Sequence, residues 1–368
     1  MGDIDSNLKE LPLKAMHEAA GAKFGGFAGW HMPITYPLGV MKEHLHTRSA
    51  VGLFDISHMK LILVEGTDAA RFLNHAVPLD ADALKLGQSR YNYLLNDKAG
   101  ILDDLIITRL GDTRFIVVAN AGNADADIAE LQKRQSGFNC TITPLDRVFL
   151  ALQGPQAANV MNDLGLPGTD LTFMHGLLTD NNWFITRSGY TGEDGFELAI
   201  PLDDAKAIAE KLINDPRVEW IGLAARDSLR LEAGLCLHGQ DITPELNPIE
   251  AAITWAVTKA VREKADFIGA KAFLELLAQG PAKKRVGLAP QSRQPVRAGA
   301  ELFEQDGTKI GIVTSGGFGP SFDAPVAMGY VPTQFATIGT EIYTDVRGKK
   351  IPVLVHALPF VPQNYFKG

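Results

Sequence analysis

The feature that most constrains the fold is a change of rhythm at Gln279-Gly280-Pro281. Upstream, strand-like and helix-like runs alternate; downstream, only short β-prone runs remain. Apolar residues at period two mark half-buried strands and those at period 3.6 mark helical faces, so the two parts belong to different architectures. Lys60–Glu65 alternates as a strand, and Asp68–His75 carries helical spacing. Ser89–Asn96, Ile101–Leu110 and Thr113–Asn120 are β-rich, and a helix is expected over Ala124–Gln135. A similar order recurs, with strand Arg147–Gln153, helix Pro155–Leu164, and strands Trp183–Arg187 and Gly195–Ile200. Helix Leu202–Leu212, short strand Trp220–Leu223 and helix Ala225–Leu235 follow. The pattern predicts two α+β units without a residue-level repeat. Beyond about Lys284, the runs Arg285–Leu288, Glu301–Glu304, Lys309–Thr314, Ala327–Val331, Glu341–Val346 and Ile351–Leu358 are separated by Gly-containing turns. They predict a C-terminal β domain, a small barrel or sandwich.

A chain of 368 residues is long enough for two or three such units with real cores. Its net charge of −8 argues against nucleic acid or an anionic membrane as the main partner. No apolar run reaches the ~20 residues of a membrane helix. Cys140 and Cys236 are the only cysteines and neither sits in a CxxC pair, so no disulfide framework or zinc site is expected and a reducing compartment fits. Met1–Glu10 carries Asp3, Asp5 and Glu10 and lacks both an apolar core and the arginines of a transit peptide. That predicts a cytoplasmic protein; a processed organellar protein would look the same.

Three stretches carry candidate chemistry. In Gly100-Ile101-Leu102-Asp103-Asp104-Leu105-Ile106-Ile107, side chains alternate faces, so one Asp must lie among aliphatic neighbours unless a bulge intervenes. A buried unpaired carboxylate is costly and needs a partner or a use, although an Asp bonded to loop amides would also fit. Gly189-Tyr190-Thr191-Gly192-Glu193-Asp194-Gly195-Phe196-Glu197 is a glycine-bearing turn leading into a strand, so it is no phosphate loop, and on these residues alone a plain hairpin is the favoured reading over a ligand-contacting turn. In Gly222–Gly234, Arg226 and Arg230 share a helical face. Arg226 stands in the first turn, where the helix dipole disfavours a cation, so it is either aimed at a polar ligand or ion-paired with Asp227 or Glu232.

Other classes fail on inspection: no H-E-x-x-H, no G-x-S-x-G, and no G-x-G-x-x-G after a strand. His44 and His46 have the wrong spacing for one helical metal face, and His58 reads as structural. The residues alone predict a metal-free site built from one or two carboxylates and an Arg.

These segments closely resemble the T-protein family of the glycine cleavage system, the tetrahydrofolate-dependent aminomethyltransferases. The resemblance includes Phe27-Ala28-Gly29-Trp30-His31-Met32-Pro33, Leu53-Phe54-Asp55-Ile56-Ser57-His58-Met59 and the Asp103-Asp104 strand. It continues through Leu152-Gln153-Gly154-Pro155, Gly189–Glu197, Gly222–Gly234, Gly311–Gly316 and Pro359-Phe360-Val361-Pro362-Gln363-Asn364-Tyr365. The resemblance implies an α+β, three-lobed cloverleaf. Two folate-binding lobes (about 1–55 with 146–280, and 56–145) would be interleaved in sequence, and 281–368 would form the terminal β-barrel or sandwich. It implies transfer of a one-carbon unit from the S-aminomethyl-dihydrolipoyl group of H-protein to tetrahydrofolate, releasing ammonia and forming methylene-tetrahydrofolate. No metal or flavin is implied, and the partners are lipoylated H-protein and folate.

Carried over by motif, Asp104 is the catalytic carboxylate. Glu197 and Arg226 hold the folate, with Tyr190 and Tyr365 lining its site and Met59, Tyr91 and Asn120 as further lining residues. In Leu235-Cys236-Leu237-His238-Gly239-Gln240-Asp241, His238 stands where the family usually has Tyr. Cys236 keeps alive an alternative, a non-catalytic folate-binding module of the iron–sulfur assembly type, whose Lys and Tyr are missing here. A relative of the folate halves of sarcosine or dimethylglycine dehydrogenases would need a dinucleotide-binding domain, for which no fingerprint exists.

Overall fold

The computed structural model describes residues 8–368, so most of the N-terminal Met1–Glu10 stretch lies outside the described residues. β1 (Lys9–Glu10), β2 (Lys23–Phe27) and β3 (Trp30–Thr35) form a small sheet ordered β1-β3-β2. β4 (Val51–Asp55) joins a sheet that is completed later in the chain. β5 (Lys60–Glu65), β6 (Ser89–Leu95), β7 (Ile101–Gly111), β8 (Arg114–Ala119) and β9 (Thr141–Leu145) form a five-stranded sheet ordered β6-β7-β8-β5-β9. β10 (Val148–Gln153), β11 (His175–Leu178), β12 (Phe184–Arg187), β13 (Gly195–Ile200) and β14 (Val218–Trp220) add to β4, giving a six-stranded sheet ordered β11-β12-β13-β10-β4-β14. β15 (Lys283–Pro290), β16 (Glu301–Phe303), β17 (Lys309–Gly319), β18 (Ala324–Pro332), β19 (Glu341–Val346) and β20 (Lys349–His356) close a barrel. β15 pairs with both β18 and β20, which closes the ring and decides between barrel and sandwich.

The five-stranded sheet is covered on both faces. Leu105, Ile107 and Val117 pack on Phe72, Leu73 and Leu131 of helices Ala69–Ala76 and Ala124–Arg134. Leu61, Ile116 and Val118 instead face Phe54, Phe149 and Phe184 of the six-stranded sheet, so the two sheets share a core. At the β6–β7 edge, Tyr93, Leu95 and Ile101 pack against Ile242, Ile253, Phe267 and Phe273 from the segment after the Arg226 helix.

Two expected boundaries move. The expected strand Trp220–Leu223 is β14 at Val218–Trp220, and the next helix starts at Leu223 rather than Ala225 and ends at Glu232. The cause is local: Gly222 caps the helix with extended backbone, and its N–H is held at 2.7 Å by Glu43 Oε2. Glu43, buried in helix Val40–Ser49, also accepts the Tyr36 backbone N–H at 2.7 Å, so one carboxylate ties the end of β3 to the helix start.

The helix Leu223–Glu232 reaches the barrel at its far end. Arg230 donates to Asp227 (2.8 Å), to Asp241 (2.7 Å) and to Ser315 of β17 (2.9 Å). Glu232 meets His44 (3.0 Å), Arg48 (3.1 Å) and the backbone N–H of Ser321 (2.8 Å). His44 and Arg48 help hold its carboxyl down, to about 2, against the cost of its burial.

Candidate active site

Alternation along β7 decides which Asp faces which way. Asp103 is fully buried on the side of Leu105 and Ile107, whereas Asp104 points to the opposite face, with Tyr91 and Tyr93 from β6 beside it. Asn120, one residue beyond β8, bridges them: its Nδ2 donates to Asp103 Oδ1 (2.9 Å) and Asp104 Oδ1 (2.7 Å), and its backbone N–H donates to Asp103 Oδ2 (3.3 Å). Burial, and then the Asp104 charge, raise the Tyr91 hydroxyl well above its usual range. Burial, then the Asp103 charge, pushes the Asp104 carboxyl up to about 6 against the opposing influence of His238, Tyr91 and Asn120.

The Gly189–Glu197 stretch is indeed the β12–β13 hairpin. Its glycines serve the protein's own packing, since a Cβ at Gly189 would stand 1.8 Å from Gln153 Oε1, and Gly192 has φ +82°. Glu197, within β13, accepts from Ser188 Oγ at 2.8 Å, and burial raises its carboxyl above the usual range. Arg226 is not ion-paired with Asp227 or Glu232; Asp227 binds Arg230 instead. The Arg226 guanidinium lies 4.9 Å from the Tyr190 ring centroid, and its Nη1 is buried without a hydrogen-bond partner. Tyr190, whose hydroxyl donates to the Cys236 carbonyl, links this pair to the field of Asp104.

Asp104 and Asn120 thus form one hydrogen-bonded pair and Tyr190 and Arg226 a cation–π pair, with Glu197 held separately by Ser188. Met59 lies within the apolar layer that contains Ile106 and Leu229. Tyr365 belongs to a neighbouring cluster: it stacks on Phe173 at 3.9 Å, and the adjacent Asn364 binds Gly192 O (2.7 Å) and Glu193.

Several groups escaped the sequence reading. Trp255, 67% exposed, stacks on Tyr91 at 5.3 Å. His58 is buried with Nδ1 unpartnered, and burial and the Arg226 charge push it down to about 3, so the ring is neutral beside the guanidinium. Asp127 is buried on the inner face of helix Ala124–Arg134. Its signal was present: Asp127 and Leu131 are four apart, placing an acid on the apolar face of a helix.

His238 donates through Nε2 to the Ile101 carbonyl (3.2 Å), while Nδ1 faces Asn123 Nδ2 (2.8 Å) and Asp103 Oδ1 (3.6 Å). The Cys236 thiol is pushed up to about 12, chiefly by burial, which makes it a poor nucleophile at neutral pH and removes the feature that supported an iron–sulfur-type binding module.

Comparison with known proteins agrees with this architecture. Residues 13–261 match the GCVT N-terminal domain, and residues 283–362 match the glycine cleavage T-protein C-terminal barrel domain. The chain is 41% identical to the mitochondrial aminomethyltransferase of Gallus gallus, over 100% of this chain and 96% of the relative. It is 39% identical to that of Homo sapiens, over 98% and 91%. The crystal structure of glycine cleavage system aminomethyltransferase T from Bartonella henselae superposes with TM-score 0.97 at 69% identity, covering 98% of this chain and all of that one. With both halves matched in order and full-length relatives well above the level of chance, the chain belongs to the glycine cleavage T-protein family and is an aminomethyltransferase of the glycine cleavage system.

Proposed function

We propose that Asp104 is the catalytic carboxylate of this transfer, with tetrahydrofolate as acceptor and the S-aminomethyl-dihydrolipoyl arm of a lipoylated H-protein as donor. The reaction breaks the C–S and C–N bonds of the aminomethyl group and forms bonds from its carbon to folate N5 and N10. The two folate N–H protons pass to the sulfur and to the departing ammonia, so atoms balance without metal or flavin.

The observation that carries the proposal is the Asp104 carboxyl, held by Asn120 Nδ2 at 2.7 Å on the sheet face shared with Tyr93 and raised by burial to about 6. Such a group is ionised at neutral pH, stabilises the iminium-like charge that develops as ammonia leaves, and accepts a folate N–H proton at little cost. Glu197 and Arg226 retain unused hydrogen-bonding capacity, which suits the adjacent donors and acceptors of a pterin edge. Tyr190, Tyr91, Asn120, Met59 and Tyr365 line the folate path in this reading.

The proposed lobes are about 1–55 with 146–280, 56–145, and 281–368, with the segment from Ile242 to Phe273 lying against the second. A cytoplasmic enzyme is the favoured location; the mitochondrial relatives are compatible with a mature matrix form.

The test is turnover with aminomethyl-lipoyl H-protein and tetrahydrofolate, following ammonia and methylene-tetrahydrofolate together. The native chain should give both in equal amounts. Asp104→Asn should bind folate but turn over roughly 10²–10⁴-fold more slowly. A folded Asp104→Asn variant with native turnover refutes the role of Asp104.

A further inference from the structure

The reaction scheme leaves His238 unused, although its ring faces the carboxylates of β7. It sits in the loop after helix Leu223–Glu232, with its side chain 9% exposed. The loop holds the ring in place. Gly239, at φ +83°, donates its N–H to the Ile242 carbonyl (2.9 Å), and Leu237 donates its own to Asp241 (3.0 Å), which Arg230 anchors at 2.7 Å.

Both ring nitrogens are engaged. Nε2 meets the Ile101 carbonyl at 3.2 Å, and a carbonyl only accepts, so Nε2 carries a hydrogen. Nδ1 lies 2.8 Å from the Asn123 amide and 3.6 Å from Asp103 Oδ1. Asn123 suits either state of the ring: its Nδ2 donates to a bare Nδ1, and with the amide turned its Oδ1 accepts from a protonated one. Asp103 itself is fully buried, and a single Asn120 nitrogen bridges it to Asp104, at 2.9 and 2.7 Å. Two carboxylates that share one donor repel when both are charged, and a positive ring at Asp103 offsets the repulsion.

The other titratable groups around the ring are Asp104 on β7, Tyr91 on β6, Asp127 on the inner face of helix Ala124–Arg134, and Cys236 and Asp241 on its own loop. Asp241 is already paired with Arg230. Among the described residues no Lys or Arg forms an ion pair with Asp103 or Asp104, which leaves His238 as the group able to face them with a positive charge. Its influence on the Asp104 carboxyl opposes the rise that burial causes.

We propose that His238 is a positioning residue for the transfer reaction: with a hydrogen on each ring nitrogen it is the cationic partner of Asp103, and so keeps Asp103 charged as the fixed acceptor of Asn120 while Asp104 beside it ionises. His238 touches neither folate nor the aminomethyl group in this scheme and acts through Asp103 and Asn120. The proposal rests on the catalytic reading of Asp104.

Histidine is the side chain whose charge changes near neutral pH, so a pH profile separates this role from packing. His238→Gln keeps a donor for the Ile101 carbonyl and never carries a charge. Its acid limb of kcat should lie about half a pH unit or more above that of the native chain, with the deficit shrinking to within about twofold near pH 8. His238→Tyr, also neutral, should move the limb the same way. A packing role alone would lower kcat by one factor at every pH. Nitrogen-15 NMR follows the ring without turnover. Nδ1 of the native chain should gain a hydrogen as the pH falls toward the acid limb, and in Asp103→Asn it should do so about half a unit or more lower. If Asp104→Asn turns over like the native chain, the catalytic reading fails while the NMR titration still reports the His238–Asp103 pair.

A native ring that gains no hydrogen on Nδ1 across the active pH range overturns the proposal. So does a folded His238→Gln variant with a native acid limb, or with the same deficit at every pH. Should both His238 variants fail to fold, the NMR titrations decide, and equal midpoints in the native chain and Asp103→Asn overturn the pairing.

Discussion

Replacing Asp104 by Asn should stabilise the protein at neutral pH while abolishing most of its turnover. The folded state raises this carboxyl from 3.8 to about 6, whereas the unfolded chain restores it to near 3.9. Between these values the native state holds more protons than the unfolded state, so stability falls as pH rises from about 4 to 6 and stays reduced above. Two pKa units correspond to roughly 3 kcal/mol; Asp104 is partly exposed, and screening brings the expected cost to about 2 kcal/mol.

Asparagine keeps the size and the oxygen that accepts from Asn120, but is neutral at every pH. Thermal or urea unfolding of both proteins should therefore coincide near pH 4, with the variant ahead by about 2 kcal/mol, or ~4 °C, near pH 8. Equal melting near pH 8, or the same gap at both pH values, would show that the protein does not strain this charge.

Further expectations follow from neighbouring residues. Asn120→Ala removes hydrogen bonds that hold the Asp104 pKa down, so the acid limb of kcat against pH should move upward from about 6; an unmoved limb would separate Asn120 from Asp104. Arg226→Lys keeps the charge but loses the fork, and titration should show tetrahydrofolate binding weakened roughly tenfold or more, whereas native affinity would remove Arg226 from the folate site. Cys236→Ser should turn over like the native chain, and the native thiol should resist alkylation near pH 7; rapid inactivation by an alkylating reagent would contradict its burial.

The candidate site was legible where chemistry disturbed a simple pattern. Asp103 and Asp104 stood out because acids interrupted an aliphatic alternation, and Arg226 because a cation occupied the wrong end of a helix. Sequence could not choose which Asp faced the core, since that depends on which sheet face meets helices and which meets the second sheet. The first 59 residues resisted reading for a physical reason: helix Val40–Ser49 buries Glu43, His44 and Thr47, a polar stripe that hydrophobic periodicity does not register. Barrel closure was equally hidden. β15 meets β20 across more than fifty residues, and alternation within each strand is the same for a barrel or a sandwich. Trp255 was missed because a lone exposed aromatic carries no pattern; only its stacking on Tyr91 marks it.

The helix Leu223–Glu232 has a mechanical consequence. Arg226 serves the site from one end, while Arg230 and Glu232 are bolted to Asp241, Ser315 and Ser321 at the other. The terminal barrel is therefore a splint on the binding site rather than an appendage. Removing it would free the end of the helix that carries Arg226. If Arg226 holds folate as proposed, substitution at Asp241 or Ser315 is expected to alter folate binding from a distance.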